Sequence, residues 1–250
     1  MNESNGFHIG RLRIFSSSTL KLLACLFMLI DHAGLLLFPR YKIFRIIGRL
    51  AFPIFAYLIA EGCRYTRNKL KHFLLVFGLG TVCELVYIIY SGSAEGNILL
   101  TFSCSILLIY TVQFVKKSFY SGELSERVLS VLLFLITLIL AAVASLSIGL
   151  DYGFGGVLLP VFPALFHYKE GETAEYFKRI DLHPLKLAVF TVAMLFVDGL
   201  PFLQMWSLLA VPLLALYNGK PGIRKFKYGF YIFYPAHLLL LEGLYLLLKT

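Results

Sequence analysis

Residues 131–144 read VLLFLITLILAAVA, an almost unbroken apolar block, and blocks of this kind recur along the whole 250-residue chain. A helix crossing the hydrocarbon core of a bilayer needs about 20 apolar residues. Runs of that order, bounded by charged or turn residues, lie at 19–38, 43–62, 70–90, 97–115, 128–149, 152–167, 184–199, 202–217 and 229–248. The strands of a membrane barrel would alternate apolar and polar residues, and these blocks do not. Backbone in lipid must satisfy its hydrogen bonds internally, so the reading is an all-α, polytopic bundle of about nine transmembrane helices. The runs at 152–167, 184–199 and 202–217 are short. Pro160, Pro163, Pro201 and Pro212 fall in or beside them, which predicts tilted, kinked or re-entrant segments there.

Composition agrees: 59% of the residues are hydrophobic and 15% charged, against roughly a quarter charged in soluble domains. No soluble second domain fits, and the chain is read as one membrane-embedded domain over 1–250. Arg11, Arg13 and Lys21 followed by Leu22 to Ile30 imitate a secretory signal, but Asp31-His32 interrupts the run where small cleavage-site residues would stand. The segment is read as a first transmembrane helix. The four cysteines, Cys25, Cys63, Cys83 and Cys104, show neither metal-ligand spacing nor a disulfide pattern, so no metal is expected.

The formal net charge of +9 would suit nucleic acid, yet the basic residues cluster in short segments between apolar runs. Of the 23 Lys and Arg, all but Arg40, Lys42, Arg45, Arg49 and Lys249 fall on one side of the nine-helix arrangement. The positive-inside rule then places the N-terminus in the cytoplasm and the C-terminus outside, in a bacterial cytoplasmic (inner) membrane, with lipids as neighbours and no nucleic acid as partner.

An ionisable side chain inside the bilayer costs several kcal/mol, so each one is a functional candidate until a partner explains it. The candidates are Asp31, His32, Arg49, Glu61, Glu84, His237 and Glu242, with Asp151 and Asp198 at water-accessible helix ends. His32 is the sharpest. It lies about 16 Å along its helix from Lys21, and imidazole can accept and return a proton near neutral pH. The alternative is a packing histidine bonded to a backbone carbonyl. Asp31, adjacent in sequence, faces elsewhere and is expected to pair with a cation such as Arg49. Arg64 and Arg67, three apart at a helix end, can present two guanidinium forks to a phosphate from the cytoplasm, or else anchor to lipid headgroups. His237, about 13 Å deep and two residues after Pro235, is expected to wall a hydrated pocket; Tyr228 and Tyr231 suit an interfacial aromatic belt.

Several of these residues sit in longer motifs: Lys21 to Pro39 with Met28-Leu-Ile-Asp31-His32, Gly48 to Asn68, Asn97-Ile-Leu-Leu-Thr101, and Asp151-Tyr152-Gly153-Phe-Gly-Gly156-Val157. Leu216-Tyr217-Asn218-Gly219-Lys220 and Phe230-Tyr231-Ile-Phe-Tyr234-Pro235-Ala-His237 complete the series. In this order they resemble the TraX family, multi-pass bacterial membrane proteins named for an enzyme that acetylates the N-terminus of pilin. A wider similarity links the spacing of Lys21 to His32 and the Arg64–Arg67 pair to the acyltransferase-3 family. The resemblance implies a membrane acetyltransferase that takes acetyl-CoA from the cytoplasm and passes the acetyl group to an amine or hydroxyl of a peptide, pilin or envelope glycan. It assigns His32 as general base, His237 as a second catalytic group, and Arg49 as holding Asp31 or developing charge. Lys21, Arg64, Arg67 and Lys69 would bind the cofactor, with Glu61, Asp151, Tyr152, Asn218 and Tyr234 in support. A proton-coupled transporter or a non-catalytic pilus or envelope assembly factor would also use buried charges.

Overall fold

A computed structural model describes residues 13–197, 202–223 and 229–249. Asp198, Arg11 and Tyr228 of the sequence reading lie outside the described residues. All regular structure among the described residues is helical: α1 (Ser17–Leu36), α2 (Lys42–Gly48), α3 (Ala51–Tyr65), α4 (Lys69–Ser91), α5 (Ile98–Ser121), α6 (Leu124–Ile148), α7 (Gly153–Leu158), α8 (Val161–Ala164), α9 (Tyr176–Ile180), α10 (His183–Met194), α11 (Phe202–Met205), α12 (Ala210–Ala215) and α13 (Gly229–Lys249), with a 3₁₀ turn at Trp206–Leu209. Six segments are long and apolar enough to cross a membrane: α1, α2 with α3, α4, α5, α6 and α13. The chain is therefore a multi-pass membrane protein. The three short runs appear as the shorter apolar helices Gly153–Ala164, His183–Met194 and Leu203–Ala215.

Local chemistry sets these boundaries. Ser16, Asn68 and Asn97 cap α1, α4 and α5, each side chain accepting a backbone N–H of the first turn. The second long segment breaks at Arg49–Leu50 because Pro53 has no N–H for the Arg49 carbonyl four residues back, and its ring crowds that carbonyl. Close packing of α1 on α2 depends on two glycines. A Cβ on Gly34 would strike Phe44, and one on Gly48 would strike Asp31, the small-residue device of membrane helix pairs.

α3 lies at the centre, with Ile54, Ala56, Tyr57 and Ala60 fully buried. α4 and α6 turn most of their apolar surface outward, as lipid-facing helices do. The bundle has a basic end, where Lys21, Arg64, Lys69 and Lys116 lie, and an opposite end, where Glu84 and Asp151 lie. α1 and α13 run parallel: Lys21 stands over the Phe230 ring and, further along both helices, His32 meets His237. The shorter segments connect the same two levels. Thr101 and Ser105 of α5 donate to the carbonyls of Asp151 and Val157, and Lys116 of α5 donates to those of Ala164 and His167. Residues 151–167 therefore run alongside α5 over about 22 Å.

Candidate functional site

The structure brings together the two deep histidines. His32 Nδ1 lies 3.0 Å from His237 Nε2 and 3.0 Å from the Met28 carbonyl oxygen, while His237 Nδ1 lies 2.9 Å from the Phe233 carbonyl oxygen. These distances fix the tautomers of a neutral pair. A carbonyl only accepts, so His237 carries its proton on Nδ1 and presents a lone pair at Nε2. His32 Nδ1 faces two acceptors and must carry its own proton, which leaves the His32 lone pair on Nε2. That nitrogen has no hydrogen-bond partner among the described residues, and His32 is only partly buried. The pair thus leaves one imidazole lone pair free, on a ring oriented by a second ring. Tyr234 sets its ring edge-on to His237, with centroids 5.9 Å apart.

The neighbouring charges arrange themselves differently from the sequence expectation. Asp31 pairs with Arg45, Nη1 to Oδ2 at 2.6 Å, and not with Arg49. The break after Gly48 is the reason: Arg45 stays on α2, which packs against α1, whereas Arg49 follows the kink. Arg49 Nη1 donates instead to the Tyr152 hydroxyl at 3.2 Å. Tyr152 stacks on Phe52 with centroids 3.7 Å apart and has φ +61°, a left-handed conformation unusual for a bulky residue. It is followed by Gly153, also at positive φ, so the chain turns sharply into α7. Arg45 and Arg49, exceptions to the positive-inside pattern, are both engaged within the protein.

A second cluster fills the basic end. Glu61 Oε1 accepts from His167 Nε2 at 3.0 Å and from Lys186 Nζ at 3.1 Å. Lys186 also reaches Asp181 at 3.0 Å, and Asp181 pairs with Arg64 at 2.7 Å. Burial alone would raise the Asp181 carboxyl, but the Tyr168 N–H, Lys186 and Arg64 overcome it and hold the group below the usual carboxylate range. Beside this network His183 accepts from the Tyr57 hydroxyl at Nδ1 and donates from Nε2 to the Leu214 carbonyl. Lys186, His167, Asp181 and His183 were not singled out from sequence; their signal is a lysine three residues into an apolar helix.

The remaining candidates divide cleanly. Arg64 and Arg67 do not form a two-pronged helical face, because α3 ends at Tyr65 and Arg67 lies exposed in the turn beyond it. Lys69 opens α4 with its ammonium over Tyr110, and Lys21 rests over Phe230. Glu84 is explained locally: its carboxylate accepts the N–H groups of Glu95, Gly96 and Asn97 and the Asn97 side-chain amide. Glu242 accepts from Tyr90 at the surface. Asp151 joins the same loop through its backbone, N–H to Gly96. Asn218 takes the Lys220 N–H on its side chain and donates its own N–H to Phe15, so it holds a turn at the basic end, away from the histidines. Among the described residues no His, Cys, Asp and Glu group could hold a metal ion, and all four cysteines are free.

The family model described as TraX protein matches residues 16–245. A probable fimbrial assembly protein, FimC, of Dichelobacter nodosus is 28% identical over 91% of this chain and 94% of its own length. An uncharacterized protein of Rickettsia prowazekii is 32% identical over 45% of this chain and 44% of its own. No solved structure matches.

Proposed function

Because the chain belongs to the TraX protein family, we propose that it is a membrane-embedded acyltransferase of pilus or envelope assembly, moving an acetyl group from cytoplasmic acetyl-CoA to an amine or hydroxyl. The observation that carries this reading is the His32–His237 pair, with the His32 Nε2 lone pair left free. A relative named as a probable fimbrial assembly protein, matched over nearly the full chain, supports a pilus-related acceptor.

The topology that serves this chemistry has nine crossings. Six long helices alone would leave α1 and α13 antiparallel, and they are parallel; an odd number of further passes between α6 and α13 is needed. Three short helices supply it, with the basic end and the N-terminus in the cytoplasm of a bacterial inner membrane. Acetyl-CoA, as co-substrate, would supply an activated thioester carbonyl. Arg67 and Lys69 fit the phosphates at the basic end, whereas the charge of Arg64 is already matched by Asp181. His32 Nε2 takes the proton from the attacking amine or hydroxyl as the new C–N or C–O bond forms and the C–S bond breaks; the proton then passes to the departing thiolate. His237 holds the His32 ring in the tautomer that leaves Nε2 free.

The test is reconstitution in vesicles with acetyl-labelled CoA and an envelope fraction as acceptor source. Label should move to a macromolecular acceptor with wild-type protein and stop with His32→Ala, while acetyl-CoA binding survives the substitution. Transfer that persists in His32→Ala removes the general-base role. Absence of transfer by folded wild-type protein would leave the assembly-factor reading.

A further inference from the structure

Four of the charges at the basic end cancel: Glu61 and Asp181 against Lys186 and Arg64. The cavity beside them, about 180 Å³, has a fifth charge on its wall, Arg13. Arg13 makes no ion pair or hydrogen bond among the described residues, and its Nε is buried without a partner. His183, on the same wall, spends both ring nitrogens on Tyr57 and Leu214 and adds no charge in its neutral form. The wall therefore carries one uncompensated positive charge with an orphaned donor.

Arg13 is held there by the backbone. Phe15 bonds to the residues on either side of Tyr217 across a short bridge, Phe15 N–H to the Leu216 carbonyl at 3.0 Å and Asn218 N–H to the Phe15 carbonyl at 2.9 Å, and Ser17 N–H reaches the Lys220 carbonyl at 2.8 Å. Gly222, at φ +74°, leaves room for Ser16, where a Cβ would strike the hydroxyl. The segment before α1 is thus clamped to the 216–222 turn, and Tyr217 and Gly219 of that turn also line the cavity. Ligand pockets for whole drug-sized molecules run from about 300 Å³ upward, so this one suits a single anionic group.

We propose that this cavity binds a phosphate ester group, with the Arg13 guanidinium as its principal ligand. The inference deepens the acyltransferase reading and rests on it only for the source of the phosphate: a phosphate of the acyl-CoA is one source and an anionic lipid headgroup the other. A half-buried guanidinium with an unpartnered Nε suits such a group, since charge-assisted bonds from its planar fork match phosphate oxygens.

The experiment measures Kd by titration calorimetry for CoA and inorganic pyrophosphate with the full chain in neutral-lipid nanodiscs, and melting temperature in nanodiscs with and without an anionic phospholipid. Wild type is compared with Arg13→Gln and Arg13→Lys. Arg13→Gln leaves every ion pair of the buried network in place, so it should fold. It should bind CoA and pyrophosphate about tenfold more weakly, the lower end of what losing a bond to a charged group produces, and Arg13→Lys should recover part of the loss. CoA bound equally by wild type and Arg13→Gln, with no lipid effect, overturns the phosphate site and leaves the cofactor reading standing. Pyrophosphate bound through Arg13 with no binding of CoA supports the site and removes the cofactor reading. Anionic lipid that raises the melting temperature of wild type but not of Arg13→Gln, without any effect of soluble phosphates, supports the site with a headgroup as source. No response to any of these probes overturns the proposal.

Discussion

The role of His237 is separable from that of His32 by the kind of atom each must present. His237 gives a lone pair to His32 Nδ1 and an N–H to the Phe233 carbonyl, and a glutamine side chain can offer the same acceptor and donor. His237→Gln should therefore retain more activity than His237→Ala, which should lose about 10²-fold in kcat, with acetyl-CoA affinity unchanged in both. Equal losses in the two variants would make His237 a proton carrier in its own right. Both histidines were legible in the sequence because an ionisable side chain in an apolar run has no ordinary reason to be there. Lys186, His167, Asp181 and His183 were not legible, since they follow a stretch whose lysines and arginines read as a positive-inside loop. Only the fold shows that Lys186 turns inward, 4% exposed, between Glu61 and Asp181.

At the scale of elements, the α1–α2 contact and the loop before α10 can each be tested through one residue. Gly48→Ala puts a methyl group where the Asp31 side chain lies, and overpacking of this kind costs about 1–3 kcal/mol. The melting temperature in detergent should fall clearly, whereas Gly62→Ala, whose Cβ meets nothing within 4 Å, should leave it unchanged or raise it. A neutral Gly48→Ala would mean that the two helices are not in contact at this point. The sequence placed a helix through 43–62 but not the kink that trades Arg49 for Arg45 as the partner of Asp31, because pairing depends on the break at Arg49–Leu50. Asp181 ties the 165–182 connection to α3. Its pKa is lowered on folding, so its contribution is full above the unfolded carboxylate value of about 3.9 and is lost as pH falls through the lower folded value. Wild type should lose melting temperature on acidification below about pH 4 more steeply than Asp181→Asn, which should start lower at pH 7. Parallel acid limbs for the two proteins would show that Asp181 titrates alike in both states.

The arrangement of the whole molecule turns on whether the helices between α6 and α13 cross. The sequence reading counts three apolar runs there among nine crossings, yet each helix is 12 or 13 residues long, short of the about 17 residues that a span needs. Contacts support the crossing reading. Residues 151–167 follow α5 from Thr101 to Lys116; Lys186 of α10 sits at the level of Glu61 while Val197 lies against Gly155; and Leu214 at the end of α12 returns to His183. Residues 151–167 pack against α3, α5 and α10, so the breaks at Pro160 and Pro163 lie inside the protein. Single cysteines in a cysteine-free background, labelled by an impermeant maleimide on intact and opened cells, test this directly. Cysteines at Gly171 and Gly219 should label only after opening, and cysteines at Ser93 and Gly149 in intact cells. If Gly149 and Gly171 label from the same side, the 151–167 segment is re-entrant. The parallel pairing of α1 and α13 would then need another odd set of passes, and the basic cavity and the histidine pair would no longer lie along one path from the cytoplasm into the membrane.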